Sequence, residues 1–178
     1  MNRIVDRIPN KKIKVLEVGV GGGRIAIELA KKNSLNEIIG VDISRDKVAK
    51  TQNKINRMGF KNVNVYAMDG TKLTFDEGEF DVVYVSYMLH EVPFDLMIAV
   101  IQNIRKVLKK DGLFLIHDYA NNNKSRKESM FLKLTRLYEP AHIKEFIYYD
   151  WQTILNNAGF QISAIDKYKD SALVSAFR

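Results

Sequence analysis

The sequence predicts a doubly wound α/β domain built on a mostly parallel sheet, and three observations predict it. Short apolar runs bounded by turn residues read as buried strands: Ile13 to Val18, Ile38 to Val41, Val63 to Ala67, Phe80 to Val85 and Leu113 to Ile116. Amphipathic helical stretches alternate with these runs, which is the signature of a parallel sheet with covered faces. A glycine cluster at Gly19, Gly21, Gly22 and Gly23 lies between the first strand and the helix that follows. In open α/β sheets the ligand crevice lies beyond the carboxyl ends of the strands. Glu17, Asp42, Asp69, Ser86 and His117 each stand at such an end.

Each element has a local reason. Met1 to Lys12 is short and charged, with Ile4, Val5 and Ile8 making one apolar turn before Pro9. A helix is expected from about Arg24 to Lys32, carrying Ile25, Ala26, Leu29 and Ala30 on one side, with a loop at Asn33 to Asn36. The second strand ends at Asp42. Ser44 then reads as an N-cap with Asp46 in the first turn, and the helix runs to about Met58, where Gly59 stops it. The third strand ends at Met68-Asp69-Gly70. The fourth ends at Ser86-Tyr87-Met88-Leu89-His90-Glu91, before a helix from about Phe94 to Lys109 that Asp111-Gly112 closes. The fifth strand is followed by His117-Asp118-Tyr119.

The stretch from Tyr119 to Tyr149 breaks the alternation. Its expected helix, Lys124 to Tyr138, carries Met130, Phe131, Leu134, Leu137 and Tyr138 on one side, and an aromatic stretch (Phe146, Tyr148, Tyr149, Trp151) follows Pro140. An apolar stripe of that size points to an interface. The insertion is therefore expected to cap the ligand crevice and to contribute to a homodimer; a helix packed on its own domain is the alternative. Asp150 caps a helix from Trp151 to Asn157, stopped by Gly159. Gln161 to Lys167 and Ala172 to Phe177 alternate around Lys169-Asp170-Ser171 and read as a hairpin.

Composition sets the bounds. The 178 residues, 46% of them hydrophobic, suit one domain spanning the whole chain with a sizeable core. The absence of cysteine excludes disulfides, thiolate nucleophiles and zinc–thiolate sites. The histidines, His90, His117 and His142, lack metal-site spacing, so no metal is expected. No window has the ~18 apolar residues of a membrane span, and Met1 to Lys12 has no signal-peptide core. A cytoplasmic location is the expectation. The net charge of +7 fits nucleic acid, a lysine-rich surface or attraction for acidic small molecules. Several cations are placed at helix ends, where the dipole favours them: Lys31, Lys32, Arg57, Lys109 and Lys110.

The glycine turn admits several readings. Glycines allow a sharp turn and close approach of a ligand, and the first helix amides welcome polar or anionic groups. Glu17 should point at that ligand, since burial without a partner is costly. Read as a nicotinamide fingerprint from Gly19, the frame puts Arg24 where a small residue belongs. A shifted frame, Gly21-x-Gly23-x-x-Ala26, fits formally but starts two residues late. A turn with no ligand is the bland reading. Asp42 lies about twenty residues beyond the turn, where α/β nucleotide sites place a ribose-binding carboxylate.

The run Glu17-x-Gly19-x-Gly21-x-Gly23 resembles the first motif of class I S-adenosylmethionine (SAM)-dependent methyltransferases. Phe80-Asp81-Val82-Val83, Met88-Leu89-His90-Glu91-Val92-Pro93, Arg105 to Gly112 and Trp151…Leu155…Ala158-Gly159-Phe160 are similar to the same family, most nearly its UbiE-type, or methyltransferase-11, small-molecule branch. The likeness extends from about Lys12 to Arg178. It implies a Rossmann-like seven-stranded sheet whose last strand runs antiparallel, with SAM as cofactor and S-adenosylhomocysteine as product.

By the same resemblance, Glu17 and the backbone of Gly19, Gly21 and Gly23 would hold the methionine part. Asp42 would bind the ribose hydroxyls and Ile43 pack on the adenine. Asp69 would accept from the adenine amino group with Gly70 beside it, and Ser86 would close the pocket under the sulfonium. The chain departs from the family in its short N-terminal segment, and Ser86-Tyr87-Met88-Leu89 is not the Asn/Asp-Pro-Pro-Tyr/Phe motif that positions a base amino group.

Methyl transfer needs mainly proximity and orientation, and an oxygen or nitrogen acceptor also needs a base. His90 and His117 are the candidate bases, with Glu91, Asp118 and Tyr119 in the same region and structural roles as the alternative for each. The expected function is methyl transfer to a small-molecule acceptor. The alternatives are an RNA methyltransferase, favoured by the charge, and a non-catalytic SAM-binding protein.

Overall fold

Burial on both faces makes the central strands nearly continuous apolar runs. In the computed structural model, which describes residues 3–121, 130–135 and 143–178, β1 (Lys14–Val18), β2 (Glu37–Asp42) and β4 (Phe80–Ser86) hide almost every side chain. With β3 (Val63–Ala67), β5 (Leu108–Tyr119), β6 (Gln161–Lys167) and β7 (Ser171–Phe177) they form one seven-stranded sheet in the order β3-β2-β1-β4-β5-β7-β6. Neighbours from β3 through β5 pair in parallel, and β7 is antiparallel to both β5 and β6. This is the mixed sheet with a reversed last strand that the family resemblance implies. The strand order reverses between β1 and β4, and a doubly wound sheet opens its crevice at such a point.

Helices cover both faces. On one side α2 (Arg24–Lys32) and α3 (Arg45–Arg57) bury Ile25, Leu29 and Ile55 against Val15, Val65 and Tyr84. On the other, α4 (Phe94–Val107) and α7 (Trp151–Asn157) pack Met97, Ile101, Ile104 and Leu155 onto Leu16, Val83 and Phe114. Caps fall where the sequence places them: Ser44 accepts from the Lys47 amide at 3.3 Å and Asp150 from the Gln152 amide at 3.1 Å. The N-terminal turn is a short helix, α1 (Arg3–Arg7), whose Ile4 and Val5, followed by Ile8, join the α2 side of the core. Lys32 Nζ ties it down through the carbonyls of Val5 (2.6 Å) and Ile8 (3.2 Å).

Two expectations need correction. The helix before β5 stops at Val107, not Lys109, because Leu108 is fully buried and already pairs with Phe80 as strand. Lys109 and Lys110 therefore cap no helix; Lys109 instead makes a 2.6 Å ion pair with Asp81. The fifth strand also runs beyond Ile116 through His117, Asp118 and Tyr119, because β7 lies beside it and pairs those residues with Leu173, Ala172 and Ser171.

Of the 119–149 insertion, α5 (Met130–Thr135) and α6 (Ile143–Phe146) are described. Met130 and Leu134 are exposed, Ile143 and Phe146 buried. His142, Leu137 and Tyr138 lie outside the described residues. Among the described residues no helix is long and apolar enough to cross a membrane.

Candidate functional site

The carboxyl ends of β1, β2, β4 and β5 surround one cavity of about 750 Å³, within the ~300–1,000 Å³ usual for small-molecule sites. Glu17, Gly19, Gly21, Asp42, Ile43, Asp69, Gly70, Ser86 and His117 all line it. Gly23 and His90 do not.

The glycine turn is shaped by its neighbours. Gly19 has φ 81°, and a Cβ there would meet Met88 Cγ at 2.6 Å. Gly23, φ 67°, caps α2 with its own backbone, and a Cβ would stand 2.7 Å from Thr51 Cγ2. Its role is to let α2 start against α3, one layer behind the cavity wall. Asp42 holds the same turn from the next strand: its Oδ2 accepts from the Gly21 amide and its Oδ1 from the Ser44 amide, both at 3.0 Å. Beyond it Ile43 is 74% exposed and presents an apolar surface to the cavity. Asp69 Oδ1 accepts from the amide and hydroxyl of Thr71, both at 2.8 Å, and these bonds hold its carboxyl below the usual range.

Glu17 lines the cavity and also has a partner within the protein. It is almost fully buried and has a protein partner, since the Tyr84 hydroxyl on the adjacent strand donates to its Oε2 at 2.8 Å. Glu17 and Tyr84 are register neighbours on one face of the sheet, so their side chains meet by necessity. Burial pushes the carboxyl up to about 8, with the Asp42 charge adding to the rise and the Tyr84 hydroxyl and Ala26 amide opposing it. Glu17 thus both lines the cavity and is held ready, largely protonated at neutral pH.

The two histidines have different surroundings. His90 is 2% exposed, and its Nδ1 donates to Asp118 Oδ1 at 2.6 Å. Asp118 also accepts from the amides of Leu89 (3.1 Å), His90 (3.4 Å) and Tyr119 (2.8 Å). This buried pair fastens the turn after β4 to β5 and sets Met88 over Gly19. His117 instead reaches the cavity. Arg3 Nη1 stands 3.2 Å from its Nε2, and because guanidinium only donates, that nitrogen is the acceptor and the ring is neutral. Burial first, then the Arg3 charge, brings His117 down to about 4. Beside it Tyr87 has φ 49°, a left-handed conformation that bulky residues rarely adopt. Its amide donates to the His117 carbonyl at 2.9 Å and its ring lies edge-on to those of His117 and Tyr119.

Arg3 has no signal in the sequence pattern, and Tyr84 only a weak one. A hydroxyl in the middle of an apolar strand hints at a buried polar partner, but only the register names Glu17.

Residues 9–166 match the family described as "Methyltransferase domain". The chain is 27% identical over 155 residues to the Bacillus subtilis protein named "Uncharacterized methyltransferase YcgJ", covering 87% of this chain and 60% of that protein. It is 32% identical over 152 residues to a Haemophilus influenzae protein, covering 83% and 58%. The chain thus spans under two thirds of the length of both relatives. The crystal structure of a SAM-dependent methyltransferase from Aquifex aeolicus superposes with a TM-score of 0.75 over 98% of this chain and 87% of that one, at 19% identity, and shares the fold. The family match covers most of the chain, from residue 9 to residue 166: the chain belongs to the methyltransferase-domain family.

Proposed function

We propose that this chain transfers the methyl group of SAM to a small-molecule acceptor seated at the Tyr87–His117 end of the cavity. The observation that carries this reading is the continuity of the cavity. Asp42, Ile43 and Asp69 wall one end, Ser86, Tyr87 and His117 the other, and Glu17 and Gly19 lie between. One continuous cavity of this size brings two reactants within reach of each other.

The fit of the residues present supports the cofactor. Asp42, with both oxygens pinned by backbone amides, keeps lone pairs for ribose hydroxyls. Glu17 supplies a carboxyl for a cationic amino group, and Ile43 an apolar face for a purine. When bound, SAM supplies a methyl group on a sulfonium whose departure needs no proton. The protein then has to align the acceptor and, for an oxygen or nitrogen acceptor, take its proton. His117 is the neutral imidazole on the cavity wall and takes that role once Arg3 releases its Nε2. His90, closed off by Asp118, serves as a positioning residue for the Met88 turn.

An RNA acceptor is the second reading, favoured by the +7 charge and by Arg24 and Lys47 on the cavity wall. Release of S-adenosylhomocysteine from SAM separates the two when the low-molecular-mass and RNA fractions of a cell extract are offered in turn. Turnover with the small-molecule fraction is expected. Turnover with RNA alone contradicts the proposal, and turnover with neither, in a protein that binds SAM, leaves a non-catalytic binding protein.

A further inference from the structure

At the acceptor end the cavity wall includes a guanidinium with an incomplete set of partners. Arg3 Nη1 is 3.2 Å from His117 Nε2 and 3.2 Å from Ser171 Oγ, and the group lies over the Tyr168 ring, 3.4 Å from its centroid. All three partners are neutral. Among the described residues no carboxylate pairs with Arg3, and its Nε and Nη2 protons have no acceptor. A half-buried cation without a counter-charge is costly unless something supplies one. The Nε–Nη2 edge is the fork that matches a carboxylate bidentately.

The geometry points to Arg3 as the receptor for a carboxylate on the methyl acceptor, which makes that acceptor a small flat aromatic or conjugated acid. The inference rests on the methyltransferase reading above. The surrounding walls fit the flat body: the His117 ring centroid is 4.9 Å from that of Tyr87 and 6.2 Å from that of Tyr168, all in edge-on arrangements. Tyr87 is held there in its left-handed conformation, and strain of that kind persists where surrounding contacts fix it for a purpose. Neutral His117 neither competes for the anion nor repels Arg3. A monoanion is favoured over a phosphate because, among the described residues, Arg3 is the cation at this end. Arg24 and Lys47, the other cations of the cavity wall, stand with the glycine turn and Ser44. The carboxylates are kept apart: β4 separates Glu17 on β1 from His117 on β5, about 10 Å across two strand spacings.

The test uses the full chain saturated with S-adenosylhomocysteine and two probe pairs, 4-hydroxybenzoate with 4-hydroxybenzamide and indole-3-acetate with indole-3-acetamide, followed by calorimetric titration. The acid of at least one pair is expected to bind about tenfold or more tightly than its amide, as a charge-assisted bidentate contact requires. Arg3→Gln removes that preference, and Arg3→Lys restores part of it. Equal binding of acid and amide, a preference that survives Arg3→Gln, or no binding of either acid overturns the assignment. A separate titration with S-adenosylhomocysteine keeps the two claims distinct. A protein that binds it but shows no acid preference loses only the Arg3 assignment, whereas failure to bind it removes the methyltransferase reading itself.

Discussion

Glu17→Gln is expected to stabilise the ligand-free protein at alkaline pH while weakening SAM binding. Burial pushes the folded carboxyl up to about 8 from its ordinary 4.5, so between these values the fold binds a proton that the unfolded chain releases. A group raised in this way contributes stability that is complete below pH 4.5 and is lost as pH rises through 8. The loss reaches about 5 kcal/mol by pH 9 and most of it is present at pH 7. Glutamine keeps an oxygen for the Tyr84 hydroxyl and carries no titrating proton, so the variant escapes this loss. It also lacks the charge for a cationic amino group, a contact of roughly 1.5–3 kcal/mol, or about ten- to a hundredfold in affinity. Urea unfolding at pH 5, 7 and 9 reads the first effect and calorimetry the second. A stability difference that does not grow with pH contradicts the placement of Glu17. The wild-type protein should also release a proton on binding SAM near neutral pH, seen as a dependence of the measured heat on the buffer.

Asp42→Ala is expected to cost more at the site than one contact. The carboxylate holds the amides of Gly21 and Ser44 at 3.0 Å each, so its removal loosens the glycine turn as well as deleting the ribose acceptors. SAM affinity should fall by about a hundredfold, from two charge-assisted bonds of roughly 1.5 kcal/mol each. The fold should persist, because Asp42 sits at the end of its strand rather than inside it. Asp42→Asn, which keeps one acceptor oxygen, should fall between the two. Unchanged affinity in a variant with native circular dichroism would show that the ribose lies elsewhere.

Much of this site was legible because strand ends and glycine turns are local. An apolar run that stops at Glu17-Val18-Gly19, or at Asp42, places its last polar residue at the crevice whatever the remainder of the chain does. The contacts that modify those residues are not local. Tyr84 meets Glu17 only because β4 inserts beside β1 in that register. Arg3 reaches His117 only because α1 folds back along α2, tied by Lys32. The end of β5 was misjudged for the same reason: His117 and Asp118 look like loop residues until β7 supplies their partners. His90 read as a candidate base because it follows a strand, but the Asp118 carboxylate that encloses it lies 28 positions away in the sequence.

What occupies the crevice between Glu17, Asp42 and Asp69 decides the chemistry of the site. Calorimetric titration of the wild-type chain with SAM, S-adenosylhomocysteine and NAD tests that most directly. Both sulfur ligands should bind at a single site and NAD should produce no saturable heat; saturable NAD binding with no response to either sulfur ligand would contradict the account.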